Sequence, residues 1–341
     1  MRIDFFCGGN IDLYHFGRTL AGLYAQADLS VRLRRVDWIT NAICAAIEVE
    51  GLRIGIELSD HSDFWEQGLL EWCDVYAKRN INARHPSASQ QKIIPFGLNW
   101  ACHSRRSMAA VLAALAPTLP ATSKSRLREI YRYLVTPHWR AFEHDPSQPV
   151  DITILFQTRV WSAEEAPGES AINEQRVRLL RALKREFKHR VVGGVVPTPF
   201  ARSYCPELIT DLSCRQSRYI QWAKKPLIGI YFRGLFDSIA FKMAEYLAAS
   251  KCIVSEPILN ELPAPLDFIR TYRSDEECLA ACERILADPS LAQTQRQQSW
   301  DYYVKQVRPN AHMADLLLRA REHASTGRVA SAPQEPPVCF N

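Results

Sequence analysis

One stretch concentrates groups able to hold an anion and hydroxyls: Gly234 to Pro257, GLFDSIAFKMAEYLAASKCIVSEP. Branched residues up to Tyr231 predict a strand, and Gly234 opens a loop into a helix whose first residues are Asp237 and Ser238. Ser or Asp at a helix start caps free N–H groups, and such N–H groups with the helix dipole favour an anion. Asp237 and Glu245 stand a little over two turns apart at about 3.6 residues per turn, so both lie near one face. The plain alternative for this pair is a helix cap and a surface acid. A second set, Asp60-His61-Ser-Asp63, follows a predicted strand, and a strand-end His–Asp set is where a general base would sit. A loop role is the alternative there. Lys78-Arg79 closes another strand, and its alternative is a solvated basic pair.

Other chemistry is missing. GxxxxGK[ST], HExxH, GxSxG and paired CxxC do not occur, and no GxGxxG follows the first strand, where Gly8-Gly9 forms only a short glycine loop. The 10 Cys are scattered, and only Cys278 and Cys282 are close, without a nearby His. Reduced thiols, a cytoplasmic location and no bound metal are the expectations.

The elements that must position these groups alternate. Strand signals at 3–6, 30–36, 43–49, 53–58, 73–77 and 92–95 are interleaved or followed by helical patterns at 13–25, 64–70, 104–115 and 124–135. After an aperiodic, Pro-containing link at 144–149, a second series begins with the strand Val150 to Phe156. It continues through an amphipathic helix, Ala171 to Phe187, and strands near 190–192, 227–231 and 252–254. This predicts an α/β fold with largely parallel sheets, in two Rossmann-like domains facing across a cleft. The boundaries are 1–146, 150–310, a closing helix at 311–323 and a disordered tail at 325–341. The length, 341 residues, suits two domains, and 47% hydrophobic residues suffice for two cores. The net charge of +5 is too small and too dispersed for a nucleic-acid binder. Arg105-Arg106 and Lys124 to Arg128 read as solvated helix faces, or as a basic patch for anionic lipid. The longest apolar run, from Met108, falls short of a membrane span, and the N-terminus reads as a strand rather than a signal peptide.

The stretch from Gly234 resembles the C-terminal domain of group 1 nucleotide-sugar glycosyltransferases of the GT-B architecture. That family has a Glu-x7-Glu pattern before a helix, turn and strand. Here Asp237 and Glu245 hold the acidic positions, and "EYLAASKCIVSEP" and the following "YRSDEECLAACERILADPSLAQTQRQQSWDYY" are similar to the family's helix-turn-strand and next segment. The similarity covers about 150 to 320. Departures are Asp at the first acidic position, Ser250 for a glycine, and Arg159 with Arg176 in place of a regular basic pair. In the first half, Tyr76-Ala-Lys78-Arg79 and Pro95-Phe-Gly-Leu-Asn99 are similar to steps of a less common branch.

The resemblance implies a transferase moving a sugar from a nucleoside-diphosphate sugar to an acceptor, either a glycan, a lipid-linked molecule or another hydroxyl. Glu245 would hold the donor ribose, Asp237 would sit near the sugar hydroxyls as a catalytic residue, and the N–H groups of Ser238 and Ile239 would receive the diphosphate. Lys242 and Arg159 would add charge, and Gly234 and Phe236 would also contact the donor. Gly9, Asn10, Asp63, Lys78, Arg79 and Asn99 would face the acceptor, with Asp60 and His61 as candidate bases. No cofactor beyond the donor substrate is expected, nor a nucleic-acid partner. A cytoplasmic protein touching the inner face of a membrane peripherally is compatible with this. Two other classes fit the same fold: a binding protein without catalysis, and a sugar-nucleotide epimerase.

Overall fold

A computed structural model describes residues 1–82, 92–115 and 123–330, with side chains as far as 326. The first sheet holds β1 (Arg2–Cys7), β2 (Ser30–Arg35), β3 (Cys44–Val49), β4 (Leu52–Glu57), β5 (Val75–Lys78) and β6 (Ile93–Pro95), in the order β2-β1-β3-β4-β5-β6. Helices α1 (Leu13–Leu23), α2 (Gln67–Trp72), α3 (Arg105–Leu115) and α4 (Lys124–Leu134) accompany it. The largely parallel arrangement needs one correction, because β3 runs antiparallel to both neighbours. The link from β3 to β4 is only Glu50-Gly51, with φ of 51° and 78°. A two-residue turn with both φ values positive joins antiparallel strands only.

The second sheet is parallel throughout, in the order β11-β10-β9-β7-β8. Its strands are β7 (Asp151–Thr158), β8 (Val191–Val195), β9 (Pro226–Tyr231), β10 (Cys252–Ser255) and β11 (Arg270–Thr271). Its helices are α5 (Ser170–Phe187), α6 (Pro199–Tyr204), α7 (Gln216–Ala223), α8 (Lys242–Ala248), α9 (Asp275–Ala287) and α10 (Pro289–Tyr302). A parallel bridge from Val195 to Ile209 adds one position outside β8. In chain order the layout is then the doubly wound 3-2-1-4-5-6, and its switch point lies between β7 and β9.

Each sheet has its own core. Ile3, Phe5, Ile47, Ile54 and Ile56 pack against Phe16 and Leu20 of α1. Ile154, Phe156, Ile228 and Ile230 pack against Leu179, Leu180 and Leu183 of α5. A third cluster joins the two halves around Trp100, Trp139, Leu155, Tyr231, Tyr246 and Tyr303.

The last helix, α11 (Pro309–Ala330), puts Met313, Leu316 and Leu317 into the first core. It meets α1 backbone to backbone, since a Cβ on Gly22 would lie 2.2 Å from the Pro309 carbonyl oxygen. Buried Arg18 of α1 ties the same junction by donating to the Val307 carbonyl at 3.0 Å and to that of Leu98. Because α11 runs to Ala330, residues 325–330 are helical rather than part of a disordered tail. Residues 331–341 of that tail lie outside the described residues.

Candidate functional site

A cavity of about 460 Å³ lies between the sheets, at the C-terminal ends of β7 and β9 and so at the switch point. From the first domain Tyr14, His15, Asp60, Arg79 and Arg132 line it. From the second come Phe156 to Arg159, Trp161, Arg176, Phe232, Gly234, Ser238, Phe241 and Lys242, among others. The lining carries the cations Arg79, Arg132, Arg159, Arg176 and Lys242 against the single carboxylate Asp60.

The first wall is built by α1 and the loops after β4 and β5. Asp12 caps α1, its Oδ1 accepting from the N–H groups of Tyr14 at 2.9 Å and His15 at 3.2 Å. Its Oδ2 meets His15 Nδ1 at 2.8 Å. Burial pushes the Asp12 carboxyl up, but His15 and Arg132 outweigh this and hold it below the usual carboxylate value. An ionised Asp12 accepts the Nδ1–H, which leaves Nε2 of His15 as the ring's basic atom. Arg79 crosses between the walls. It donates to Asp60 Oδ1 at 2.6 Å, to the Leu58 carbonyl at 3.3 Å and to the Ile239 carbonyl of the other domain at 2.6 Å. Burial raises the Asp60 carboxyl, but Arg79, the Ser238 hydroxyl and His15 together bring it below its usual value. Asp60 is therefore an ionised partner of Arg79.

The second wall supplies most of the cations. Arg159, after β7, is half exposed and bonded to Glu165 at 2.6 Å. Arg176, from α5, is buried, stacks on Trp161 at 4.5 Å, and donates to the carbonyls of Arg159 at 2.8 Å and Arg233 at 2.6 Å. Burial lowers its pKa to about 10, and its Nε has no partner. Lys242 opens α8 and donates to the Tyr219 hydroxyl at 3.0 Å.

The loop before α8 differs from the expectation of a helix starting at Asp237. Residues 235–237 form a 3₁₀ turn in which Phe236 and Asp237 both have φ of 56°, and the α-helix begins only at Lys242. Left-handed non-glycine residues are costly and persist where surroundings hold them. Here Arg233 pairs with Asp237 at 3.0 Å and with Glu256 at 2.9 Å, and Glu256 also accepts from Gln175 at 2.7 Å. Gly234 packs closely on Ser238, since a Cβ there would lie 2.5 Å from the Ser238 hydroxyl and 3.1 Å from its carbonyl oxygen. The Ser238 N–H, expected to meet a diphosphate, instead donates to the Leu235 carbonyl at 3.1 Å. The Ile239 contribution found is its carbonyl, held by Arg79.

Glu245 sits behind Lys242, next to Tyr219, and does not line the cavity. Burial raises its carboxyl against the pull of Lys242 and Tyr219, and one oxygen, Oε2, has no hydrogen-bond partner.

The acceptor-side residues do not converge. Lys78 is fully buried, bonded to Glu57, to the Phe64 carbonyl at 2.7 Å and to the His61 carbonyl at 3.3 Å. It fastens the 59–65 loop and cannot reach an acceptor. Asn99 is also buried, donating to the His15 carbonyl at 3.0 Å from behind the wall. Gly9 and Asn10 line a separate, more apolar cavity of about 860 Å³ under α3 and α4. The Arg35 guanidinium lies on Gly9, where a Cβ would come within 2.3 Å of it. His61 leaves the cavity and stacks on Phe236 across the domain gap, ring centroids 3.8 Å apart. Asp63 is exposed.

Sequence reasoning passed over Tyr14, His15, Arg132 and Arg233. Only the pair Asp12–His15 had a readable signal, an Asp three residues before a His at a helix start.

Among the described residues no three His, Cys, Asp or Glu converge as a metal site, and no helix is long and apolar enough to cross a membrane. No family model matches the chain, and no curated protein does either. Among solved structures, a glycosyltransferase from Rickettsia africae is 12% identical at a TM-score of 0.40, covering 73% of this chain and 63% of that one. The S. aureus MnaA–UDP co-structure is 10% identical at a TM-score of 0.43, covering 97% and 98%. The UDP-GlcNAc 2-epimerase from Neisseria meningitidis, bound to UDP-GlcNAc, is 8% identical at a TM-score of 0.42, covering 94% and 100%. The chain thus spans less than two thirds of the first of these, 63%. Its own sheets and cleft make the architecture explicit: two Rossmann-like α/β domains facing across a gap, the GT-B arrangement.

Proposed function

We propose that this chain transfers a sugar from a nucleoside-diphosphate sugar to an acceptor hydroxyl. The observation that carries the reading is the cation-rich, aromatic-walled cavity at the switch point of the second sheet. Phosphate oxygens call for Arg and Lys donors, and a base or sugar ring calls for flat apolar walls. Arg159, Arg176 and Lys242 are assigned to the diphosphate, where they take up the charge that develops as it leaves. Glu245, buried behind Lys242 and outside the cavity lining, is assigned to holding the Lys242 charge in place rather than to the donor ribose.

The general base is assigned to His15 in preference to Asp60 or His61. Asp60 is neutralised by Arg79, and His61 stacks on Phe236. His15 lines the cavity and is oriented by an ionised carboxylate. In the proposed step Nε2 takes the acceptor hydroxyl proton as the oxygen attacks the anomeric carbon. The bond from that carbon to the diphosphate oxygen breaks, and its electron pair leaves with the diphosphate. Asp237 shapes the loop through Arg233 and is assigned no proton. The occupied cavity would exclude water, which competes with the acceptor.

Thermal shift and calorimetry with UDP, GDP and TDP test the donor site. Stabilisation by at least one is expected, and none by any would end the reading. Incubation with the matching donor sugar then separates the activities. Glycosylated acceptor is expected, an epimerised donor without acceptor would make the chain an epimerase, and binding without turnover would leave a binding protein.

A further inference from the structure

Helices α3 and α4 both pack on the outer side of α1, and their solvent side is unlike that of an ordinary surface helix. Such helices turn polar residues outward. On α4, Leu127 and Tyr131 are 43% and 66% exposed, and Val135 at its end is 48% exposed. At about 3.6 residues per turn, Lys124, Leu127, Arg128, Tyr131 and Val135 form one stripe, opposite buried Ile130 and Tyr133. On α3, Leu112 is 38% exposed and shares a stripe with Arg105. Over residues 104–135 the sequence has six cations, Arg105, Arg106, Lys124, Arg126, Arg128 and Arg132, against one acid, Glu129.

We propose that the α3–α4 face docks on an anionic lipid bilayer. Large apolar side chains interleaved with cations on one exposed stripe are what an interfacial helix uses: the apolar groups enter the acyl boundary and the cations meet anionic headgroups. A nucleic acid would engage the cations through its phosphates and leave the apolar stripe in water, whereas a bilayer takes up both. The face adjoins the interdomain cavity, because Arg132 of α4 lies over the ring of Tyr14 at 3.7 Å and both line it. If the transferase reading holds, docking brings a lipid-linked acceptor to the side of the cavity that holds His15.

The test is flotation of the full chain, without nucleotide, with vesicles of phosphatidylcholine alone or with about one third phosphatidylglycerol. Binding to the anionic vesicles only, weakened by salt, is expected. Replacing Arg105, Arg106, Lys124 and Arg128 by Ala removes four cations at roughly fivefold each, so binding should fall more than about a hundredfold. The pair Leu127→Ser and Tyr131→Ser keeps every charge and should also weaken binding. Arg126 and Arg132 stay unchanged because they touch Ile11 and the cavity. All substituted side chains are exposed, and circular dichroism checks the fold. The proposal is overturned if the natural chain ignores anionic vesicles, if either variant binds as well as it does, or if heparin or RNA binds where vesicles do not. Nucleotide-induced thermal shifts should survive in both variants, so failure here is separable from failure of the cavity assignment.

Discussion

The two walls of the interdomain cavity are made differently. The second domain presents fixed charge: Arg159, Arg176 and Lys242, held by an all-parallel sheet and by carbonyls and hydroxyls of its own domain. The first presents carboxylates paired with cationic or imidazole partners, Asp12 with His15 at the start of α1 and Asp60 with Arg79 on the loops after β4 and β5, next to an inserted antiparallel strand. Fixed cations suit binding of a charged ligand, whereas a carboxylate-oriented imidazole suits proton transfer. Under the proposed transferase reading, binding and chemistry are divided between the domains and meet only when the domains are together.

The sharpest way to break this division is His15→Ala. Turnover should fall about 10²–10⁴-fold while nucleoside-diphosphate affinity, read by calorimetry, stays within twofold. A matching loss of affinity would show that the first wall binds the donor as well.

A smaller effect is expected from prising the domains' shared clasp. Gly22→Ala drives a methyl group into the Pro309 carbonyl and Met313, and should cost about 1–3 kcal/mol of stability in a denaturation curve. An unchanged midpoint would mean that α11 slides freely on α1.

On the binding wall, Arg159→Ala removes one half-exposed cation and should weaken diphosphate binding roughly tenfold, with kcat changed less than KM. The reverse split would move Arg159 to the chemistry.

The smallest effects are in pH. His312, buried against Phe96 at 4.6 Å, is pushed well below its usual 6.5 by burial. The unfolded chain takes up a proton below that value and the folded one does not, so stability falls as pH drops through about 6.5. His312→Gln should flatten that slope between about pH 7 and 5, and an unaltered slope would place its origin elsewhere. Asp12 behaves oppositely to a buried neutral acid. Its lowered pKa adds stability above its ordinary 3.8 that is lost as acid protonates it, so the deficit of Asp12→Asn shrinks toward acid pH.

Much of the fold was legible. The alternation of strands and helices and the strands near 227–231 and 252–254 follow local rules of periodicity, which act within a few residues, whereas the helix start expected at Asp237 gave way to a 3₁₀ turn. Strand direction was less so: the strand signals at 43–49 and 53–58 do not by themselves say that the two strands pair antiparallel. The site was legible in half. Arg159, Gly234, Ser238, Lys242, Asp60 and Arg79 do line one cavity. Lys78 and Asn99 look like their neighbours in sequence, yet alternation along a strand and a returning loop turn them inward.

By itself the sequence determined two α/β series, a link near 144–149 and a charged loop leading into α8. Those follow from composition and short-range periodicity. Only the tertiary structure decided that His15 rather than His61 enters the cavity, that Arg79 bridges the walls, and that the outward stripe of α4 is apolar as well as basic. Each depends on what a distant segment places opposite the side chain — Phe241 beside His15, Ile239 on Arg79, α1 beneath α4 — and contacts across more than a hundred residues leave no local pattern to read.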